Sequence, residues 1–289
     1  MRVRNRRPAR PREIPLRRLI PNALTTLALC AGLAGMHYAL KGDAERAVAA
    51  IGVAALLDSL DGRAARLLRA TSPFGVAFDS LCDLVSFGVA PALVLYHWQL
   101  KGVGVWGLAA CVAFVICSAV RLARFTAAHM GALQRSSPGG VRYFSGLPTP
   151  AAAGAVLVPE MLTFAELTRF TPPVWATIVY TILISGMMVS RIPMFSGKGF
   201  RIDRRLAAPL LATLALGAVL ATADAWLTAC ILAVAYPLTA PLSWRSYARA
   251  RRAAEACGDT PVVGADDPDS PVISTRPFAG GAGRSGVGR

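Results

Sequence analysis

Eight stretches of this 289-residue chain are apolar on every face for close to twenty residues. They fall at about 20–40, 46–68, 76–98, 103–125, 148–164, 172–191, 206–222 and 225–243. A helix needs about 20 residues to cross a hydrocarbon layer of ~30 Å. No amphipathic 3.6-residue pattern with a broad polar face appears, so a water-soluble bundle fits poorly. The expected fold is therefore all-α: a polytopic transmembrane helix bundle of about eight spans, the short fifth and seventh being tilted or re-entrant. Composition agrees, with 54% hydrophobic and only 16% charged residues, against about 25% charged in an ordinary soluble domain. Disorder is excluded for most of the chain. The six cysteines form no CxxC pair and mostly lie in apolar runs, which argues against a disulfide scaffold.

Charge sets the expected orientation. With a cytoplasmic N-terminus, all but four of the 31 Lys and Arg fall on the cytoplasmic side, the four being Lys41, Arg46, Lys101 and Arg169. That bias is the positive-inside pattern for an even number of spans, with both termini cytoplasmic. It also accounts for the net charge of +15 without nucleic acid as a partner. The expected organisation is a basic arm at 1–18, a membrane-embedded domain at 19–245 and a disordered tail at 246–289. The arm serves topology and attraction to anionic lipid. Its long basic region does not read as a cleavable signal.

Within the second and third apolar stretches lie Asp58, Asp61, Asp79 and Asp83. An Asp at a helix centre costs roughly 2.5–3.5 kcal/mol to insert, so something cationic should offset them. Asp58 and Asp61 are three apart and Asp79 and Asp83 four apart, so each pair shares a helical face. The intervening SPFG, with Pro73 and Gly75, turns the chain back and brings the four carboxylates together. Oxygen-only ligation suits Mg²⁺ or Mn²⁺, and two such ions would neutralise a diphosphate. The alternatives are an ion network with Arg63, Arg66 and Arg69, or an ion pathway in a transporter.

Asp58-x-x-Asp61-Gly62-x-x-Ala65-Arg66, eight residues, Gly75, three residues, Asp79, three residues, Asp83 resembles the signature of the CDP-alcohol phosphatidyltransferases. Members displace CMP from a CDP-linked lipid with an alcohol at a divalent-metal site in the membrane. The resemblance implies metal ligation by Asp58, Asp61, Asp79 and Asp83, with Asp83 also the general base. It implies that Gly62, Arg66 and Gly75 face the nucleotide. Gly62 would let the nucleotide approach the helix backbone, and Arg66 offers a planar fork for a diphosphate; Gly75 reads equally as a helix start. Asn22 and Thr25, in the PNALT that opens the first span, resemble positions near the cytidine, with capping or close helix packing as the alternative. Many relatives carry a second Asn six residues after the first, where this chain has Ala28.

Three later stretches, SFGVAPA (86–92), RLARF (121–125) with YFSGLPTPAAAG (143–154), and MVSRIPMFSGKGF (188–200), are similar to the multispanning bacterial phosphatidylserine synthases within that family. That resemblance implies CDP-diacylglycerol and L-serine as substrates, a homodimer, and the cytoplasmic (inner) membrane of a bacterium. Glycerol 3-phosphate, inositol phosphate and choline are the alternative acceptors. Arg121 and Arg124 would meet the amino-acid carboxylate, unless one only snorkels to headgroups. Tyr143 and Gly146 lie in a Gly- and Pro-rich stretch that either lines the acceptor cavity or merely separates two helices. Lys198 reads as a solvated loop lysine, His97 and His129 as non-catalytic, and Glu160 and Glu166 as solvated on the far side.

Overall fold

The computed structural model describes residues 16–68, 72–134, 141–142, 144–165, 170–190, 193–194, 219–220, 222–239 and 272–273. Helices α1 (Leu16–Leu40) and α2 (Ala44–Leu67) form an antiparallel hairpin. The turn between them uses Gly42 at φ +78°, and Asp43 caps α2 by accepting the Arg46 amide at 3.1 Å. Small residues let the two rods close up: a β-carbon on Gly35 would stand 3.1 Å from the Ala47 carbonyl oxygen.

Ser72 caps α3 (Pro73–Asp83), its hydroxyl accepting the Gly75 amide at 3.0 Å. Pro73 occupies the first helical turn, where a missing N–H costs nothing. The SPFG stretch thus starts a helix rather than forming a turn of its own. The rod continues through a π-helical segment, Leu84–Val89, into α4 (Ala90–Trp98), making one apolar span from Pro73 to Trp98. A 3₁₀ turn (Leu100–Val103) and Gly104 at φ +63° lead into α5 (Val105–Gln134).

The fifth apolar stretch is broken into α6 (Thr149–Val156) and α7 (Val158–Phe164). Pro159 has no N–H for the Ala155 carbonyl one turn back, and the Tyr180 hydroxyl donates to that carbonyl instead, at 2.9 Å. Tyr180 belongs to α8 (Val174–Val189), and α9 (Ala225–Leu238), capped by Asp224, is the last described helix. Strand content among the described residues is two antiparallel two-residue pairs, Val141–Arg142 with Val272–Ile273 and Phe144–Ser145 with Pro193–Met194. The arm at 1–15, most of the expected seventh span and all of the tail except Val272–Ile273 lie outside the described residues.

The surface differs from that of a soluble protein, and hydroxyl side chains share an otherwise apolar interior. Leu27, Leu56, Leu81, Trp106, Ile116, Trp175, Leu183 and Leu232 are exposed. Ser86, Ser118, Thr149, Thr177, Thr181 and Ser185 are buried. Apolar surface this extensive marks contact with lipid. Among the described residues three helical spans, Leu19–Leu40, Pro73–Trp98 and Val105–Ala127, are long and apolar enough to cross a bilayer. The chain is a helical membrane protein.

The helix ends sort into two groups. At one end Gln99 donates to the Pro172 carbonyl at 2.7 Å and Trp226 to Glu45 at 3.2 Å. At the other end lie the C-terminus of α2, the start of α3 and the start of α6. One expectation fails here. Glu160 is not solvated: it is 0% exposed, and neither carboxylate oxygen has a hydrogen-bond partner. The reason is packing, since α7 is covered by α9 on one side and α2 on another.

Candidate active site

The last turns of α2 carry Asp58 and Asp61, and α3 carries Asp79 and Asp83. The fold brings these two helices' carboxylates together, as the sequence spacing predicts. One carboxylate oxygen from each of Asp58, Asp61 and Asp79 lies within 4.8 Å of the others. The carboxyls of Asp58 and Asp83 meet at hydrogen-bonding range. Each pair of full charges this close repels by about 3–4 kcal/mol at an effective dielectric near 20. Among the described residues no arginine forms an ion pair with them, and Arg121 reaches Asp83 only at longer electrostatic range. Arg63 and Arg66 are exposed and form no ion pair with these aspartates, and the ion pair found joins Arg46 to Asp43 at the far end. Arg69 lies outside the described residues.

One atom identifies what is needed. Oδ1 of Asp79 is buried and has no hydrogen-bond donor. A buried carboxylate oxygen without a donor is costly unless a cation takes its lone pairs. Three gathered carboxylates, with no imidazole or thiolate among their ligand atoms and Asp83 interacting with them, form an oxygen-only set, which suits a hard divalent ion. The residues present fit such a group.

Thr25 belongs to this cluster. Its hydroxyl, 6% exposed, donates to Asp61 Oδ2 at 2.6 Å and stands 3.1 Å from the Pro21 carbonyl. Capping is excluded for Asn22 and Thr25, because α1 begins at Leu16 and both sit inside it. Asn22 reaches the first turn of α3, its Oδ1 3.6 Å from where a β-carbon on Gly75 would be. That β-carbon would also come within 3.2 Å of the Ser72 hydroxyl, so Gly75 serves both the helix start and a close approach to α1.

Gly62 presents bare backbone, with nothing within 4 Å of the position a β-carbon would take. Asp58, Gly62 and Arg66 are spaced by four and share one face of α2. That face therefore runs from carboxylate through open backbone to guanidinium, which suits a diphosphate held between cation and arginine.

The two expected acceptor arginines part company. Arg121 turns inward: its Nη1 donates to the Thr149 hydroxyl, its Nε is buried without a partner, and Asp83 lies within electrostatic range. Arg124 is exposed and donates to the Val189 carbonyl at 3.2 Å. Gly146, at φ +80°, presses against the Met188 and Ser190 carbonyls, where no β-carbon fits. Its place is a backbone junction before α6. Tyr143, Lys198 and Glu166 lie outside the described residues, as does the side chain of His129. Thr149 is a residue that sequence reasoning passed over. Its only signal was a hydroxyl between two prolines at the head of an apolar helix.

The comparisons with known proteins meet this geometry. The family profile "CDP-alcohol phosphatidyltransferase" matches residues 18–188. A "CDP-diacylglycerol--serine O-phosphatidyltransferase" of Mycobacterium tuberculosis (strain ATCC 25618 / H37Rv) is 36% identical over 230 residues, covering 79% of each chain. Proteins of the same name are similar in Helicobacter pylori (strain J99 / ATCC 700824) and Bacillus subtilis (strain 168). The first is 40% identical over 50% of this chain and 58% of its own, the second 32% identical over 60% and 88%. The matched span contains α1 through most of α8 and with them all four gathered aspartates, so signature, geometry and relatives agree: the chain belongs to the CDP-alcohol phosphatidyltransferase family.

Proposed function

We propose that this protein transfers the phosphatidyl group of CDP-diacylglycerol to L-serine, releasing CMP and phosphatidylserine. The observation that carries the reading is the meeting of Asp58, Asp61, Asp79 and Asp83, in a family whose members act on CDP-alcohols. The relatives' shared name supports serine as the acceptor. Asp58, Asp61, Asp79 and Asp83 would hold two Mg²⁺ or Mn²⁺ ions, which neutralise the diphosphate and the departing CMP. Gly62 and Arg66 lie along the nucleotide and its diphosphate, with Gly75 and Asn22 beside them. Asp83 takes the proton of the serine hydroxyl as that oxygen bonds to the lipid-side phosphorus and the phosphoanhydride bond to CMP breaks. Arg121 receives the serine carboxylate, and Arg124, Tyr143 and Gly146 border the same region.

The wider arrangement follows from charge and hydropathy. The domain at 19–245 crosses a bacterial inner membrane about eight times as a homodimer, with the arm at 1–18, the tail at 246–289 and the aspartates at the cytoplasmic face. The positive-inside bias supports this orientation.

CMP release by purified protein tests the reading, with CDP-diacylglycerol and serine, glycerol 3-phosphate, inositol phosphate or choline, with and without EDTA. Serine-dependent release abolished by EDTA is expected. Release with glycerol 3-phosphate alone would replace the acceptor and leave the family standing.

Thr25 gives a finer test of the metal site. Partners that orient ligating carboxylates typically contribute 10–100-fold to metal affinity. Thr25→Val should raise the Mg²⁺ concentration for half-maximal activity by about that factor, with activity largely restored at saturating metal. Thr25→Ser should titrate like the parent. An unchanged Mg²⁺ titration in Thr25→Val would show that Asp61 needs no such support.

A further inference from the structure

Arg121 is half-buried, and one of its buried donors lacks a partner. Nη1 is given to the Thr149 hydroxyl, while Nε is buried with nothing to accept it. Thr149 is 0% exposed and starts α6, between Pro148 and Pro150, whose rings restrict the backbone on either side. The two groups with which Arg121 interacts electrostatically are Asp83 and the Tyr236 hydroxyl group on α9. A flexible guanidinium is thereby tied to a stiff helix start beside the proposed base.

We infer that Thr149 is a positioning residue for acceptor selection. It fixes the Arg121 fork so that the remaining buried donor meets the carboxylate of the incoming amino acid. The inference rests on serine as the acceptor. In serine the hydroxyl and the carboxylate are joined through only two carbons, so a carboxylate held on Arg121 keeps the hydroxyl close to Asp83. An unpartnered buried donor is costly in the free protein and is satisfied when an anion arrives. A fork held in place loses less freedom at that moment than a loose one.

The test is steady-state kinetics of Thr149→Val, Thr149→Ala and Thr149→Ser in the full chain, varying serine and CDP-diacylglycerol separately. Thr149→Val and Thr149→Ala should raise the KM for serine by about tenfold, with kcat and the KM for CDP-diacylglycerol close to the parent. Thr149→Ser, which keeps the hydroxyl, should restore the parent KM. If Thr149→Val does not fold, Thr149→Ala, which adds no bulk, decides. A loss of kcat with unchanged KM for serine, or a failure of Thr149→Ser to rescue, would overturn the role. A rise confined to the KM for CDP-diacylglycerol would overturn it too, by giving Arg121 to the diphosphate. Absence of serine-dependent CMP release by the parent protein would overturn serine as acceptor, and this inference with it.

Discussion

Asp83→Asn is expected to lower CMP release by about 10²–10⁴-fold, the usual contribution of a positioned general base. The side chain keeps its size and one oxygen beside Asp58 but no longer accepts a proton. Affinity for CDP-diacylglycerol should change far less, because Asp58, Asp61 and Asp79 gather without it. Single-turnover CMP release together with equilibrium binding of the lipid nucleotide separates the two effects. Turnover within threefold of the parent would remove Asp83 as the base.

Gly62→Leu should lower kcat/KM by about 100-fold without harming the fold. A β-carbon there meets no atom of another segment within 4 Å. On a helix it also gains about 0.8–1 kcal/mol of propensity over glycine. The melting temperature should therefore hold or rise. Any loss of activity then comes from a clash with something outside the chain, and about 3 kcal/mol of overpacking is two decades of rate. Full activity in Gly62→Leu would show that the nucleotide does not pass over this face. The two variants differ in what they spare: Asp83→Asn binds without turning over, whereas Gly62→Leu should fail to bind.

The spans and the acid cluster were legible because each rests on a rule with few exceptions. An apolar run of twenty residues in lipid has to be helical to satisfy its backbone, and carboxylates three or four apart on a helix share a face. What the sequence did not disclose depended on contacts between distant segments. Glu160 looked like a solvated residue near a span end, and its burial is set by α9, some seventy residues on. The partner of Arg121 is Thr149, 28 residues away, and no local pattern links them. Arg121 and Arg124 looked equivalent in RLARF, yet three positions turn one inward and leave the other at the surface. Thr25 reads from the sequence as a position near the cytidine, and that its hydroxyl also donates to Asp61 depends on the α1–α2 packing, which no local pattern discloses.

The π-helical segment at Leu84–Val89 begins at the residue after Asp83. Its later half is locked by tight neighbours: a β-carbon on Gly32 would stand 2.5 Å from the Ser86 hydroxyl, and one on Gly88 3.1 Å from Ser118. The widened turn takes in one residue more than an α-helical turn, so losing one residue there would let it relax to regular α-helix with the two halves close to their present orientation. A deletion between Asp79 and Asp83 has no such slack and would rotate one half by about 100° relative to the other. With the later half pinned, Asp79 would swing away from Asp58 and Asp61. A change of length that the π turn absorbs is therefore expected to dismantle the acid cluster when made one turn earlier.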